Sequence, residues 1–179
     1  GAEATRAQAC SASRRTLLLR VVLPQLGKRT TFPLPSNSLL WTSIAYILWD
    51  DVDPRRLTPD QQVAMTDWLH WGGQLIVSGP GSLDALRGSF LGDYLPADPG
   101  KTSRLDQDAF RQINGRFTLP LDKDIRSPLT VVLNKPPEGV ELKLRPGATF
   151  IPHAGTLLAE RRVGHGRIVV TSFSLTNRQ

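Results

Sequence analysis

The sequence predicts an α/β domain of three layers, built on an open, mainly parallel sheet with antiparallel strands added by its C-terminal third. Three observations carry this. From Tyr46 to Ser82 the chain reads strand, capped helix, strand and then a glycine-rich turn opening another helix, which is the repeating unit of parallel α/β sheets. The run Ile44–Trp49 is apolar throughout, as a strand covered on both faces would be. After residue 128 the pattern changes to short β-rich runs separated by Pro and Gly turn signals, the mark of hairpins.

Taken in order, residues 1–15 read as a flexible basic leader, and one domain is expected over 16–179. Thr16–Leu23 is a short apolar run with β-branched residues and reads as a strand. Residues 24–38 hold Pro24, Gly27, Pro33, Pro35 and Asn37 and read as loop. Leu40–Trp49 follows as the second strand, its second half the more apolar. Leu57–Trp71 is the clearest helix: Thr58 is a good N-cap, Pro59 suits the first helical position, and Gln61 completes a T-x-x-Q capping box. Ala64 and Trp68, with Val63, Met65 and Leu69 on a neighbouring row, form its expected buried stripe. Gly72-Gly73 ends it, because a left-handed position after a helix is easiest for glycine. Leu75–Val77 is the next strand, and the strand-helix-strand order implies a parallel crossover.

Ser82 is expected to cap a second helix running to about Tyr94, with Leu83, Leu86, Phe90 and Leu91 inward. Residues 96–101 (PADPGK) read as loop, Asp106–Ile113 as a short helix and Asn114-Gly115 as a turn. Leu129–Leu133, Val140–Leu144, Thr156–Arg161 and Arg167–Phe173 read as strands. Pro136-Pro137-Glu138-Gly139 and Gly164-His165-Gly166 serve as hairpin turns between two of the pairs.

Composition narrows the function classes. At 179 residues, 40% hydrophobic and 21% charged, the chain is globular rather than disordered, and one domain of this length can bury a sizeable core. Its apolar runs are all far shorter than the roughly 20 residues a transmembrane helix needs. The first residue is Gly rather than Met, so the chain is expected to be a piece of a longer protein. The net charge of +6 is unevenly placed: residues 1–29 hold six basic side chains against Glu3 alone, while the remainder is nearly balanced. A solvated basic arm is the plain reading, with contact to anionic lipid or nucleic acid as the alternative; no nucleic-acid partner is expected. Cys10 is the single cysteine, which leaves no intrachain disulfide and no cysteine metal cluster.

The stretch Leu57–Gly79, LTPDQQVAMTDWLHWGGQLIVSG, preceded by the strand and acidic loop ILWDD, resembles the class I glutamine amidotransferase-like, flavodoxin-like domains of uncharacterised bacterial membrane-associated proteins. The late run Gly164-His165-Gly166-Arg167-Ile168-Val169-Val170-Thr171-Ser172-Phe173-Ser174-Leu175 resembles them too. The resemblance implies an extracytoplasmic domain of a membrane-anchored parent. It also implies that amidotransferase chemistry is missing. The family's catalytic members place a cysteine in a G-x-C-x-G elbow after the strand matching Leu75–Val77, where this chain has Ser78 or Gly79. Their H-x-E pair is absent as well, since His153 is followed by Ala154-Gly155 and His165 by Gly166-Arg167.

A hydrolase elbow needs glycines two before and two after its serine, but Ser78 is flanked at those positions by Ile76 and Pro80. The turn Gly79-Pro80-Gly81-Ser82 at a helix start could hold an anion, though it matches no phosphate-binding pattern and Pro80 removes a donor. Asp50, Asp51 and Asp53 follow an inner strand, where open sheets seat their ligands. Clustered carboxylates suit Mg²⁺ or Ca²⁺, while the adjacent Arg55-Arg56 favour a solvated turn. The four tryptophans read as packing, with Trp49 and Trp68 between sheet and helix and Trp71 and Trp41 partly exposed. The resulting expectation is a non-catalytic, ligand- or protein-binding module. Its candidate ligand contacts are Asp50, Asp51, Ser78, Gly79, Gly81 and Ser82. No catalytic residue, metal or cofactor is expected. The alternative is a divergent hydrolase using Ser78, or a metal on Asp50 and Asp51.

Overall fold

The computed structural model describes residues 18–19, 34–117 and 135–175. The expected leader, the strand at Leu129–Leu133 and most of Thr16–Leu23 lie outside them. Six strands form the main sheet: β1 (Leu18–Leu19), β2 (Tyr46–Trp49), β3 (Gln74–Val77), β6 (Ala148–Phe150), β7 (Leu158–Val163) and β8 (Gly166–Thr171). Their order is β1-β2-β3-β8-β7-β6, parallel from β1 through β8 and antiparallel across β8-β7-β6. Two further strands, β4 (Ala97–Arg104) and β5 (Glu138–Leu144), make a separate antiparallel pair. The α/β class, the parallel centre and the antiparallel C-terminal strands are thus present.

The helix α1 (Pro59–His70) is built as its sequence dictates. Thr58 Oγ1 accepts from the Gln61 backbone N–H at 3.3 Å, and Thr58 N–H donates to Gln61 Oε1 at 3.1 Å. At the other end the Gly73 N–H reaches Trp68 O at 2.9 Å and the Gly72 N–H reaches Leu69 O at 3.2 Å. This is the paired bonding of a Schellman stop, with Gly72 at φ 121°. Ala64, Met65, Trp68 and Leu69 are buried, but Val63 is 61% exposed and does not belong to the inward stripe. Trp41 is fully buried rather than partly exposed. It sits in a 3-10 turn (Ser38–Trp41), donates to Pro35 O at 2.9 Å and lies 5.8 Å from the Trp68 ring. The first half of the expected Leu40–Trp49 strand is therefore helical turn.

Register shows which face of the sheet is the core. Ile47, Leu75 and Ile168 stand side by side, as do Trp49, Val77 and Val170, and all six are buried. Side chains alternate along a strand, so Tyr46, Leu48, Gln74, Ile76, Arg167 and Val169 share the other face. These are half-buried or exposed, which corrects the expectation of a strand closed on both faces.

The second helix, α2 (Gly81–Arg87), stops at Gly88 instead of continuing to Tyr94; Gly92–Tyr94 is a separate 3-10 turn. Leu83, Leu86 and Leu91 are buried as expected, with Phe90 half-buried. Ser82 does not cap α2: it is the second residue of the helix, and no side chain caps that end. PADPGK is mostly strand, paired with Leu142–Leu144 around an irregularity between Pro99 and Thr102. Asp106 caps a 3-10 turn (Gln107–Phe110) that runs into α3 (Arg111–Phe117), so Asn114-Gly115 is helix and not a turn. Glu138 and Gly139 belong to β5 instead of a turn. The Gly164-His165 hairpin between β7 and β8 stands as expected, with Val163 opposite Gly166.

Candidate functional site

The parallel register brings the carboxyl ends of β2, β3 and β8 to one edge of the sheet, so the residues that follow them meet. Asp51, two residues beyond β2, takes φ 47° and donates its backbone N–H to Ser82 Oγ at 2.8 Å. The carboxylate of Asp51 lies over Gly81, where a Cβ would come within 2.8 Å of Oδ1. An acidic side chain thus already occupies the start of α2, the place a bound anion would take. Asp50 is half-buried and engaged within the fold.

Ser78 and Gly79 are consumed by structure. Ser78 is 1% exposed; its N–H donates to Trp49 O at 2.8 Å and its Oγ accepts from the Leu175 N–H at 2.9 Å. Gly79 N–H donates to Thr171 Oγ1 at 3.1 Å, and the Gly79–Pro80 peptide bond is cis. Thr171 Oγ1 in turn reaches Phe173 O at 2.6 Å. Ser172, beside it, is buried with a hydroxyl that has no hydrogen-bond partner among the described residues.

No histidine is hydrogen-bonded to Ser78. His70 packs edge-on to Tyr94 at 5.6 Å, with Nδ1 2.8 Å from Thr66 O. His165 lies in the β7–β8 turn, its backbone N–H held by His70 O at 2.9 Å. Both are at the amino end of β8, the end of the sheet opposite Ser78. His153 is exposed at φ 63° in the β6–β7 loop. Among the described residues, no three His, Cys, Asp or Glu side chains are grouped so as to hold a metal ion.

Beside the Asp51–Ser82 contact opens a groove of about 580 Å³, lined by Asp51 to Arg55 from one side and by Gly81, Asp84, Ala85 and Gly88 from the other. Its charges are partly paired. Asp53 caps the 3-10 turn Pro54–Arg56, and the Arg55 backbone N–H, then its guanidinium at 3.2 Å, hold the Asp53 carboxyl below its ordinary range. Asp84 lies 3.7 Å from Arg87. Asp51 and Gly81 line the groove, whereas Ser82, Ser78 and Gly79 are buried, Ser82 reaching the groove wall only through its bond to the Asp51 N–H. Thr171, Ser172 and Asp84 stand at this edge as well, outside the residues the sequence singles out. The rule that pointed to Asp50 and Ser78, inspection of the residues after each parallel strand, points equally to Thr171-Ser172 once β8 is known to be parallel.

Neither a family model nor a curated protein matches this sequence. Solved structures do match in fold. One is the Cytoplasmic Protein STM1381 from Salmonella typhimurium LT2, at TM-score 0.51 and 13% identity over 83% of this chain and 68% of that one. Another is the Cytoplasmic Protein STM3548 from Salmonella typhimurium, at TM-score 0.52 and 11% identity over 81% of this chain and 66% of that one. Identities this low establish a shared mixed α/β fold and nothing about activity. Among the described residues no helix is long and apolar enough to cross a membrane.

Proposed function

We propose that this chain is a non-catalytic binding module of the three-layer, amidotransferase-like class. Its ligand seat is the groove between Asp51–Arg55 and α2. The observation that supports the absence of catalysis is the state of Ser78. A nucleophile must present its oxygen to substrate with a base in reach, whereas this oxygen is buried and spent on the Leu175 N–H. The groove offers carboxylates from Asp51, Asp53 and Asp84 with one guanidinium from Arg55, a lining suited to a small molecule bearing hydroxyl or ammonium groups. A membrane-associated parent that carries this domain outside the cytoplasm completes the proposal, on the family resemblance of Leu57–Gly79. The test is turnover. Incubated with glutamine or a nitrophenyl ester, the protein releases no more ammonia or nitrophenol than a heat-denatured control. Multiple turnovers that vanish in Ser78→Ala would overturn the reading.

A further inference from the structure

We propose that the turn end of the β7–β8 hairpin seats a phosphate group, at the end of the sheet away from the groove and independent of it. Arg162 and Arg167 are direct cross-strand partners, which sets their Cα atoms about 4.5–5.5 Å apart. Like charges placed opposite each other destabilise a hairpin, and here the conflict is only half relieved. Arg167 Nε donates to Gln74 Oε1 at 2.9 Å, and its Nη1 lies 3.3 Å from Glu160 Oε2. Those contacts orient the guanidinium and leave Nη2 without a partner among the described residues. Arg162 is exposed and makes no ion pair or hydrogen bond among the described residues. The two-residue turn sets His165 at the same rim, its backbone pinned to His70 O at 2.9 Å. Gln74, Glu160, Arg162, His165, Gly166 and Arg167 enclose a pocket of about 220 Å³.

The chemistry selects the ligand. A guanidinium fork binds two oxygens of an oxyanion. Two forks on facing strands need a group with more than two oxygens, and their combined charge outweighs the single carboxylate of Glu160. A phosphate dianion meets both conditions, and a carboxylate is satisfied by one fork.

The test is an NMR titration of the intact chain at fixed pH and ionic strength, following the His165 ring and arginine Nε signals. Inorganic phosphate and phenyl phosphate are the probes, with benzoate as the carboxylate arm. Saturable shifts at His165 and Arg162 with either phosphate are expected, with benzoate at least several-fold weaker. Arg162→Gln should weaken phosphate binding by about tenfold, the loss of one charged hydrogen-bonding partner. Glu160→Gln should tighten it, and Arg104→Gln on β4 should leave it unchanged. No saturable shift, equal binding of benzoate, or unaltered binding in Arg162→Gln would each overturn the proposal.

Discussion

Residue 79 is glycine because two backbones meet there. A Cβ at this position would overlap the Thr171 carbonyl oxygen, and neither partner is a side chain that can swing aside. Gly79→Ala should therefore destabilise the fold by about 3 kcal/mol, at the upper end for overpacking, seen as a lowered urea midpoint. Retention of the wild-type midpoint would show that the β3 and β8 ends can separate. Ser78 lends itself to a sharper contrast. Its hydroxyl serves the Leu175 N–H, so Ser78→Ala should cost about 1 kcal/mol, one neutral hydrogen bond. Ligand affinity at the Asp51 groove should not change. A loss of affinity with no loss of stability would return Ser78 to the functional surface.

Helix α1 shows how far local rules reach. Its cap, its first-turn proline and its glycine stop involve residues within a few positions of each other, so the sequence displays them openly. Gln61 adds a longer tie, donating through Nε2 to Leu34 O at 2.6 Å. Thr58→Ala should cost about 1 kcal/mol, as lost caps do. Gln61→Ala should cost more, because the same side chain closes the box and holds the preceding loop. In thermal unfolding of the two single variants and the double variant, the effects should fall short of additive by about 0.5 kcal/mol or more, the mark of groups in contact. Strict additivity would mean that the two halves of the box act alone. Helix α2 is the counterexample. Ser82 has the residue type of a cap, yet its oxygen serves the Asp51 N–H, 31 residues away. Nothing local announces that partner, so the expected cap is absent and the serine is tied to a distant backbone instead. Val63 is exposed for a purely local reason: two residues are about 200° around a helix, so it faces away from Met65 and the buried stripe.

At the scale of the molecule, what escaped the sequence is pairing over distance. Residues 97–104 carry Pro99 and Gly100, poor strand formers by propensity, yet they pair with β5 some forty residues later and tolerate the proline at an irregularity. Partnership overrides propensity there, as it does at Glu138-Gly139. This small sheet is fastened to the rest at a few points. Val140 N–H reaches Ser172 O at 2.8 Å. Arg145, at the end of β5, grips Asp98 with two hydrogen bonds of 2.9 and 2.6 Å and also donates to Gly92 O. Arg87 from α2 joins Asp98 at 3.6 Å. The hydrogen bonds from Arg145 outweigh the cost of burial and, helped by the charges of Arg145 and Arg87, hold the Asp98 carboxyl below its ordinary value. The sign follows from linkage. A carboxyl whose folded value is depressed stabilises the fold above its unfolded value near 3.9, and that contribution disappears as pH falls through the lowered folded value. Asp98 is 39% exposed at its side chain, so solvent screening limits the effect to about 1 kcal/mol. Asp98→Asn should accordingly lower the urea midpoint at pH 7, and the gap between variant and wild type should narrow as pH falls below about 3.9 and through the lowered folded value. Amide exchange should show β4 and β5 loosening before the six-stranded sheet does. A gap that stays unchanged across the acid range would mean that Asp98 contributes shape rather than charge, and that the bonds of Arg145 to Gly92 O and of Val140 to Ser172 O hold the small sheet to the rest without it.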